Sequence, residues 1–315
     1  MKVIMQANRM VPIPIPSAGA SPPITGNHNP VIANTGFSIP EKKPFLVSDD
    51  TRRLLEIVDK HRARGENTNI LISGNQGTGK SELCEQFAAT RQAVFSVTEV
   101  GILSDPSQIF GTTELINGET KYIPGLFTRA ITTPGMVVHL QELNRPENDK
   151  SLNALFSVLD PKQRRIWVDE MQQFIHVAPG VTFFATLNEG FQFVGTLPLD
   201  SALRDRFNIK IQLGMLPDHQ EQRLLVQNGG LAPELATQLL TMVKSLRANT
   251  QTPIEFSTRD LMNVAELLTD ELDLFLALKS VMGGNDDIME TIFLSQHVTS
   301  GHSGRSSSAD NYSYL

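Results

Sequence analysis

Short apolar runs alternate with longer amphipathic stretches through the first two thirds of the chain. The runs are "NILIS" from Asn69, "AVFSV" from Ala93, "MVVHL" from Met136, "VTFFATL" from Val181 and "IKIQL" from Ile209. They are too short for helices, and apolar side chains occupy both parities, as in strands covered on both faces. Separated by helix-like segments, they predict an α/β fold whose parallel sheet carries helices on each side. From Leu216 onward the spacing changes. "DHQEQRLLVQN", "PELATQLLTMVKSLRA" and "TRDLMNVAELL" place apolar residues three and four apart, and no strand is expected among them. A small all-helical domain should therefore follow the sheet domain. Two further segments read as hairpins. "TTELINGETKYIPG" has Asn117-Gly118 between alternating runs, and "RRIWVDEMQQFIHVAPG" sets Ile166, Trp167 and Val168 against Phe174, Ile175 and His176.

The two ends have a different character. Residues 1–43 are rich in Pro, Gly, Asn and Ser, with "PIPIP" at Pro12–Pro16, and read as a disordered Pro-rich arm. Residues 297–315 carry few apolar groups and read as a flexible tail. That leaves 44–214 for the sheet domain with its two hairpins and 215–296 for the helical domain. A chain of 315 residues suits this division into one larger and one smaller core.

Charge and composition narrow the class of partner. The formal net charge of −7 argues against a chain whose main task is to coat nucleic acid. No apolar run is long enough to span a membrane, and Gln6, Asn8, Arg9 and the prolines interrupt any leader-like stretch at the start. A cytoplasmic location is expected. Cys84 is the only cysteine, which excludes an intrachain disulfide and a cysteine-based metal site. It should be a packed small residue. His139, alone in an apolar run, should be a hydrogen-bonded histidine of the core or sheet edge rather than a metal ligand.

Candidate chemistry begins at "GNQGTGKS", which fits the phosphate-loop pattern G-x-x-x-x-G-K-[ST] at every fixed position. It follows an apolar run and opens a helix-like one, as phosphate binding requires. Glycines let backbone N–H groups turn toward an anion, and a helix N-terminus adds partial positive charge. The expected cradle is Gly74, Asn75, Gln76, Gly77, Thr78, Gly79, Lys80, Ser81 and Glu82, with Lys80 reaching the terminal phosphates of ATP and Ser81 a ligand of Mg2+. Further on, "MVVHLQELN" ends in Gln141 and Glu142. A carboxylate at the first of these positions holds the magnesium and its waters, and one at the second polarises the attacking water. Here the catalytic acid Glu142 is present, whereas the metal position holds the neutral, longer Gln141. Magnesium affinity and turnover should fall more than nucleotide binding does.

In order and spacing, these segments resemble an AAA+ ATPase, and within it the MoxR branch, of dynein-related type and similar to the CbbQ and NorQ proteins. The resemblance covers roughly residues 44–282. It implies a P-loop NTPase sheet of three layers with a helical lid. In "FFATLNEG" it makes Asn188 the sensor-1 residue that orients the lytic water. In "GTLPLDSALRDRF" it makes Arg206, with Arg204 as the other choice, the arginine finger given to a neighbour. In "FSTRDLMNVAELL" it makes Arg259 the sensor-2 residue, mounted in a first helical turn that Ser257 or Thr258 can cap. It further implies a homo-oligomeric ring, a hexamer by resemblance, acting on a protein client, often with a von Willebrand factor A type partner. The hairpins would face the ring pore, with Tyr122 and Trp167 either client contacts or packed aromatics. In most of the family Asp stands where this chain has Gln141. Three functions follow: a remodelling motor or chaperone, a nucleotide-gated scaffold with little hydrolysis, or a nucleic-acid-associated motor, the last disfavoured by the acidic balance.

Overall fold

The computed structural model describes residues 36–100, 110–145, 149–169, 171–188, 199–248, 256–283 and 312–314. Along the chain these form β1 (Leu46–Ser48), α1 (Asp49–Ala63), β2 (Thr68–Gly74), α2 (Lys80–Thr90), β3 (Phe95–Glu99), β4 (Gly111–Ile116) and β5 (Glu119–Pro124). There follow α3 (Leu126–Ile131), β6 (Val137–Gln141), α4 (Asp149–Leu159), β7 (Arg165–Val168), β8 (Gln173–His176), β9 (Thr182–Asn188), α5 (Ser201–Arg204) and β10 (Ile209–Leu213). Then come α6 (Asp218–Gln227), α7 (Pro233–Arg247), α8 (Thr258–Thr269), α9 (Leu274–Met282) and β11 (Tyr312–Tyr314).

The five apolar runs become one sheet in the order β10-β2-β9-β6-β3, every pair parallel. Because side chains alternate across a strand, each run feeds two cores. Ile70, Ile72 and Phe184 pack with Leu55 and Val58 of α1 and Leu83, Cys84 and Phe87 of α2. Leu71, Phe183 and Ala185 pack on the other face with Phe127, Leu155, Val158 and both hairpin segments. Phe87 meets Phe184 edge-on at 5.0 Å. This double burial explains why the runs lack strict alternation. Parallel pairing also puts the C-terminal ends of β2, β9 and β6 side by side, the edge where open α/β sheets bind ligands.

Both hairpins form. Asn117 (φ +53°) and Gly118 (φ +83°) make the left-handed turn between β4 and β5. In the second, Ile166 pairs with Ile175 and faces the core, whereas Trp167 pairs with Phe174 on the exposed side. The helical part buries Leu239, Leu240, Val243 and Leu246 of α7 against Leu261, Val264 and Ala265 of α8. Helix α9, "LFLALKSVM", completes this core, with Ala277 and Leu278 fully buried in it.

Two expectations about the ends need correction. Residues 36–43, expected within the disordered arm, pack on the sheet domain: Phe37 is buried, Ser38 O accepts from Phe95 N at 3.1 Å, and Lys43 N donates to Gln86 Oε1 at 2.8 Å. One aromatic side chain, one backbone bond to the edge strand β3 and a bond to Gln86 of α2 hold this piece, which composition alone does not reveal. Similarly, Tyr312–Tyr314 of the expected tail pairs antiparallel with β1, so a strand does occur after Leu216. The arm up to residue 35, residues 284–311 and residue 315 lie outside the described residues.

Candidate nucleotide site

Strand β2 runs directly into the phosphate loop, which turns into α2 at Lys80. Glycine is required at two points. Gly79 caps α2 in a left-handed conformation (φ +86°), and Gly77 (φ +75°) leaves no room for a side chain because a Cβ there would collide with Ser257 Oγ. Thr78 Oγ1 donates to Asn75 O at 2.9 Å and tightens the loop. Lys80 is buried, and its ammonium donates to Gly74 O at 2.8 Å and Asn75 O at 2.6 Å. Burial first, and the nearby Arg259 charge second, lower its pKa to about 8, against a smaller opposing effect of Glu142. An anion placed in this loop would meet an ammonium that makes no ion pair among the described residues. Glu82, in the first turn of α2, accepts from Gln86 Nε2 at 3.0 Å.

Strand β6 ends at Gln141, and Glu142 follows in a left-handed conformation, φ +53°. Such backbone in a non-glycine residue is strained and needs neighbours to hold it. Leu143 N donates to Thr186 O at 3.0 Å, Arg145 N to Glu142 O at 3.0 Å, and the buried Asn144 donates its amide to Asn188 O at 2.9 Å. Arg145 also lies 3.6 Å from the Glu142 carboxylate. Asn188 is the last residue of β9 and sits in register with Gly74 of β2. Two residues earlier, Thr186 Oγ1 and His139 Nε2 are 3.0 Å apart in the core. Burial lowers the His139 pKa to about 4, so the ring is neutral at physiological pH. His139 is thus a hydrogen-bonded core residue, as its sequence context suggested. Cys84 is likewise packed, with Sγ against Lys80 O at 3.2 Å and its thiol pushed well up by burial.

The helical part contributes the third side. Ser257 caps α8 in a reciprocal box with Asp260, which leaves Arg259 in the first turn. The resulting cleft is open to solvent and is lined by Gln76, Gly77, Gly79, Lys80, Ser81, Gln141, Glu142, Arg145, Thr186, Leu187, Asn188 and Arg259. Lys80, Ser81, Gln141, Glu142, Asn188 and Arg259 therefore converge from three strand ends and a helix. Arg206 does not line this cleft. Its Nε donates to Phe156 O at 2.9 Å, Nη1 to Ala202 O at 2.6 Å, and Nη2 lies 3.6 Å from Asp160. Arg145 and Thr186 were not among the expected site residues. Arg145 was legible only as the residue three beyond Glu142, and Thr186 only as the sheet neighbour two before Asn188.

A parallel sheet with a phosphate loop at its edge and a helical lid above defines a P-loop nucleotide-binding protein of the AAA+ kind. Residues 69–207 match the family described as AAA domain (dynein-related subfamily), and the chain belongs to it. Members of this family are usually ATPases. The candidate chaperone BssE of Thauera aromatica is 41% identical over 253 residues, 80% of this chain and 86% of that one. Protein SH1500 of Staphylococcus haemolyticus is 28% identical over 218 residues, 64% of this chain and 79% of that one. Among solved structures, a point mutant of RuvB from Thermotoga maritima aligns at 17% identity with a TM-score of 0.52, over 81% of this chain and 72% of that one. At that identity the likeness concerns the fold alone. No helix among the described residues is long and apolar enough to cross a membrane.

Proposed function

We propose that this chain is a MoxR-type ATPase that assembles into a homo-oligomeric ring in the cytoplasm and uses ATP to remodel or mature a protein client. The observation that carries the reading is the convergence of Lys80, Ser81, Glu142, Asn188 and Arg259 on one cleft. The residues fit the nucleotide and its metal. The loop offers a positive-φ glycine cradle with a lysine inside it, and Ser81, Gln141 and Glu142 are oxygen donors of the kind magnesium takes. Ser81 and Gln141 would hold Mg2+, which would supply positive charge to offset that of the phosphate under attack. Lys80 and Arg259 bind phosphate oxygens. Glu142 accepts a hydrogen bond from the attacking water and polarises it, and Asn188 orients that water through its amide. Arg206 of a neighbouring copy supplies the remaining positive charge, so turnover depends on assembly. Its position outside the cleft of its own chain supports this division of labour.

The relative described as a candidate chaperone supports a protein client, and a von Willebrand factor A type partner is the companion we propose. The net charge of −7 supports a protein over a nucleic acid, and retention on heparin at low salt should be negligible. One observation favours a second reading: Gln141 is neutral, so the chain would bind nucleotide and hydrolyse it little, acting as a nucleotide-gated scaffold. Magnesium-dependent ATP hydrolysis by the assembled protein separates the two, with Glu142→Gln as the blank and Gln141→Asp as the comparison. Turnover well above the blank supports the motor. Turnover equal to the blank, restored by Gln141→Asp, supports the scaffold.

A further inference from the structure

We infer that the ion pair between the buried Glu221 and the partly buried Arg247 is a positioning device that fixes where Arg259 stands over the phosphate loop; the inference rests on the reading of Arg259 as a phosphate-binding group. Glu221, on α6, is fully buried, and its carboxylate accepts from Arg247 Nη1 at 2.8 Å and Nη2 at 3.0 Å. Arg247 is the last residue of α7, and its Nε donates to Phe256 O at 2.9 Å. The same carboxylate accepts from Thr258 Oγ1 at 3.0 Å.

One ion pair thus grips the start of α8 at two points, the carbonyl of Phe256 and the hydroxyl of Thr258. Between them, Ser257 caps the helix and abuts Gly77 of the phosphate loop, and the next residue is Arg259. The four residues Phe256, Ser257, Thr258 and Arg259 are therefore an anchor, a loop contact, a second anchor and a cleft-lining cation in direct succession. A helix can slide or turn along an apolar interface with little penalty, whereas a bidentate guanidinium–carboxylate fork permits one geometry. Stability alone does not account for the pair, because well-packed apolar residues of similar volume commonly replace a buried ion pair without loss. What such a replacement removes is the directional hold on Phe256 and Thr258. Arg259, exposed and one position further on, has no described hydrogen bond of its own to set its place.

The test compares Glu221→Met/Arg247→Met, Arg259→Ala and the triple variant in the full chain, by affinity for a slowly hydrolysed ATP analogue, ATPγS, and by thermal melting. The double variant is expected to melt cooperatively near the parent and to bind about tenfold more weakly, the scale of a hydrogen bond to a charged group. Arg259→Ala should weaken binding by a similar factor, and the triple variant no further than either, because both changes remove one interaction. A folded double variant with parental affinity overturns the inference, as do losses that multiply to about a hundredfold in the triple. Parental affinity in Arg259→Ala instead overturns the reading of Arg259, and the inference with it. Should the double variant fail to melt cooperatively, Thr258→Val, which deletes one hydroxyl, and Arg247→Lys, which loses the fork, carry the same cycle with Arg259→Ala.

Discussion

Raising the pH from 7 to 9 should weaken nucleotide binding through Lys80 alone. In the nucleotide-free loop its ammonium is buried against two carbonyl oxygens and shares the cleft with Arg259, which together lower its pKa to about 8. Phosphate brings negative charge against it and restores the protonated form, so binding takes up a proton wherever the free site has lost one. With a free-site pKa of about 8, the protonated fraction falls from roughly 0.9 at pH 7 to roughly 0.1 at pH 9, a tenfold loss of affinity or about 1.4 kcal/mol. The same shift acts oppositely on the empty protein. Its unfolded chain binds more protons between pH 8 and the ordinary lysine value of 10.5, so Lys80 makes folding more favourable as pH rises through that window. Calorimetric titration with ADP in two buffers of different ionisation enthalpy reads both the affinity and the proton count. Close to one proton should be taken up at pH 9 and little at pH 7. Lys80→Arg, whose guanidinium does not titrate in this range, should abolish the slope. Affinity that stays level between pH 7 and 9, with no proton uptake, would refute the account of Lys80 as a buried, underneutralised cation.

Further predictions concern the packing around the site. Gly77→Ala forces an L side chain into a left-handed position and into Ser257 Oγ, and should cost about 1–2 kcal/mol for the backbone alone. It should also displace the lid, read as weaker nucleotide binding together with faster hydrogen exchange at the start of α8. Glu221→Ala leaves the partly exposed guanidinium of Arg247 and the Thr258 hydroxyl without their carboxylate and should destabilise the chain by about 2–3 kcal/mol in urea unfolding. The neutral, buried His139, with a pKa of about 4 against an unfolded value of 6.5, makes folding less favourable as pH falls from 6.5 to 4, by about 3 kcal/mol. His139→Gln should flatten that limb of the stability–pH curve, and an unchanged slope would assign the acid sensitivity to other groups.

Much of the architecture was legible along the chain because its signals are local. A parallel strand buried on both faces is a short apolar run wherever it stands, and all five were readable, from Asn69 to Leu213. The phosphate loop was readable for the same reason: cradling phosphate needs glycines, a lysine and a hydroxyl at fixed intervals within eight residues. The cap of α8 was legible as Ser257 or Thr258, and the structure selects Ser257, paired with Asp260. The docking of residues 36–43 was not legible, since polar, Pro-rich composition says nothing of one aromatic finding a core. Strand β11 was missed because three polar or aromatic residues have no pattern of their own until β1 lies beside them.

What only the tertiary structure decided are pairings between residues far apart in sequence. Asn144 with Asn188, His139 with Thr186, Ser257 with Gly77 and Arg247 with Glu221 each depend on which strands are neighbours or on how the helical part closes over the loop. Sequence spacing carries information about groups joined by one turn or one strand, because the backbone repeat sets their separation. Strand order and lid closure set the rest. By itself, then, the sequence determined that this chain has a phosphate loop, an acid after a buried strand and a helical lid. The fold decided which side chains hold Glu142 and Arg259 in place, because those contacts exist only once β6, β9 and α8 meet at one edge of the sheet.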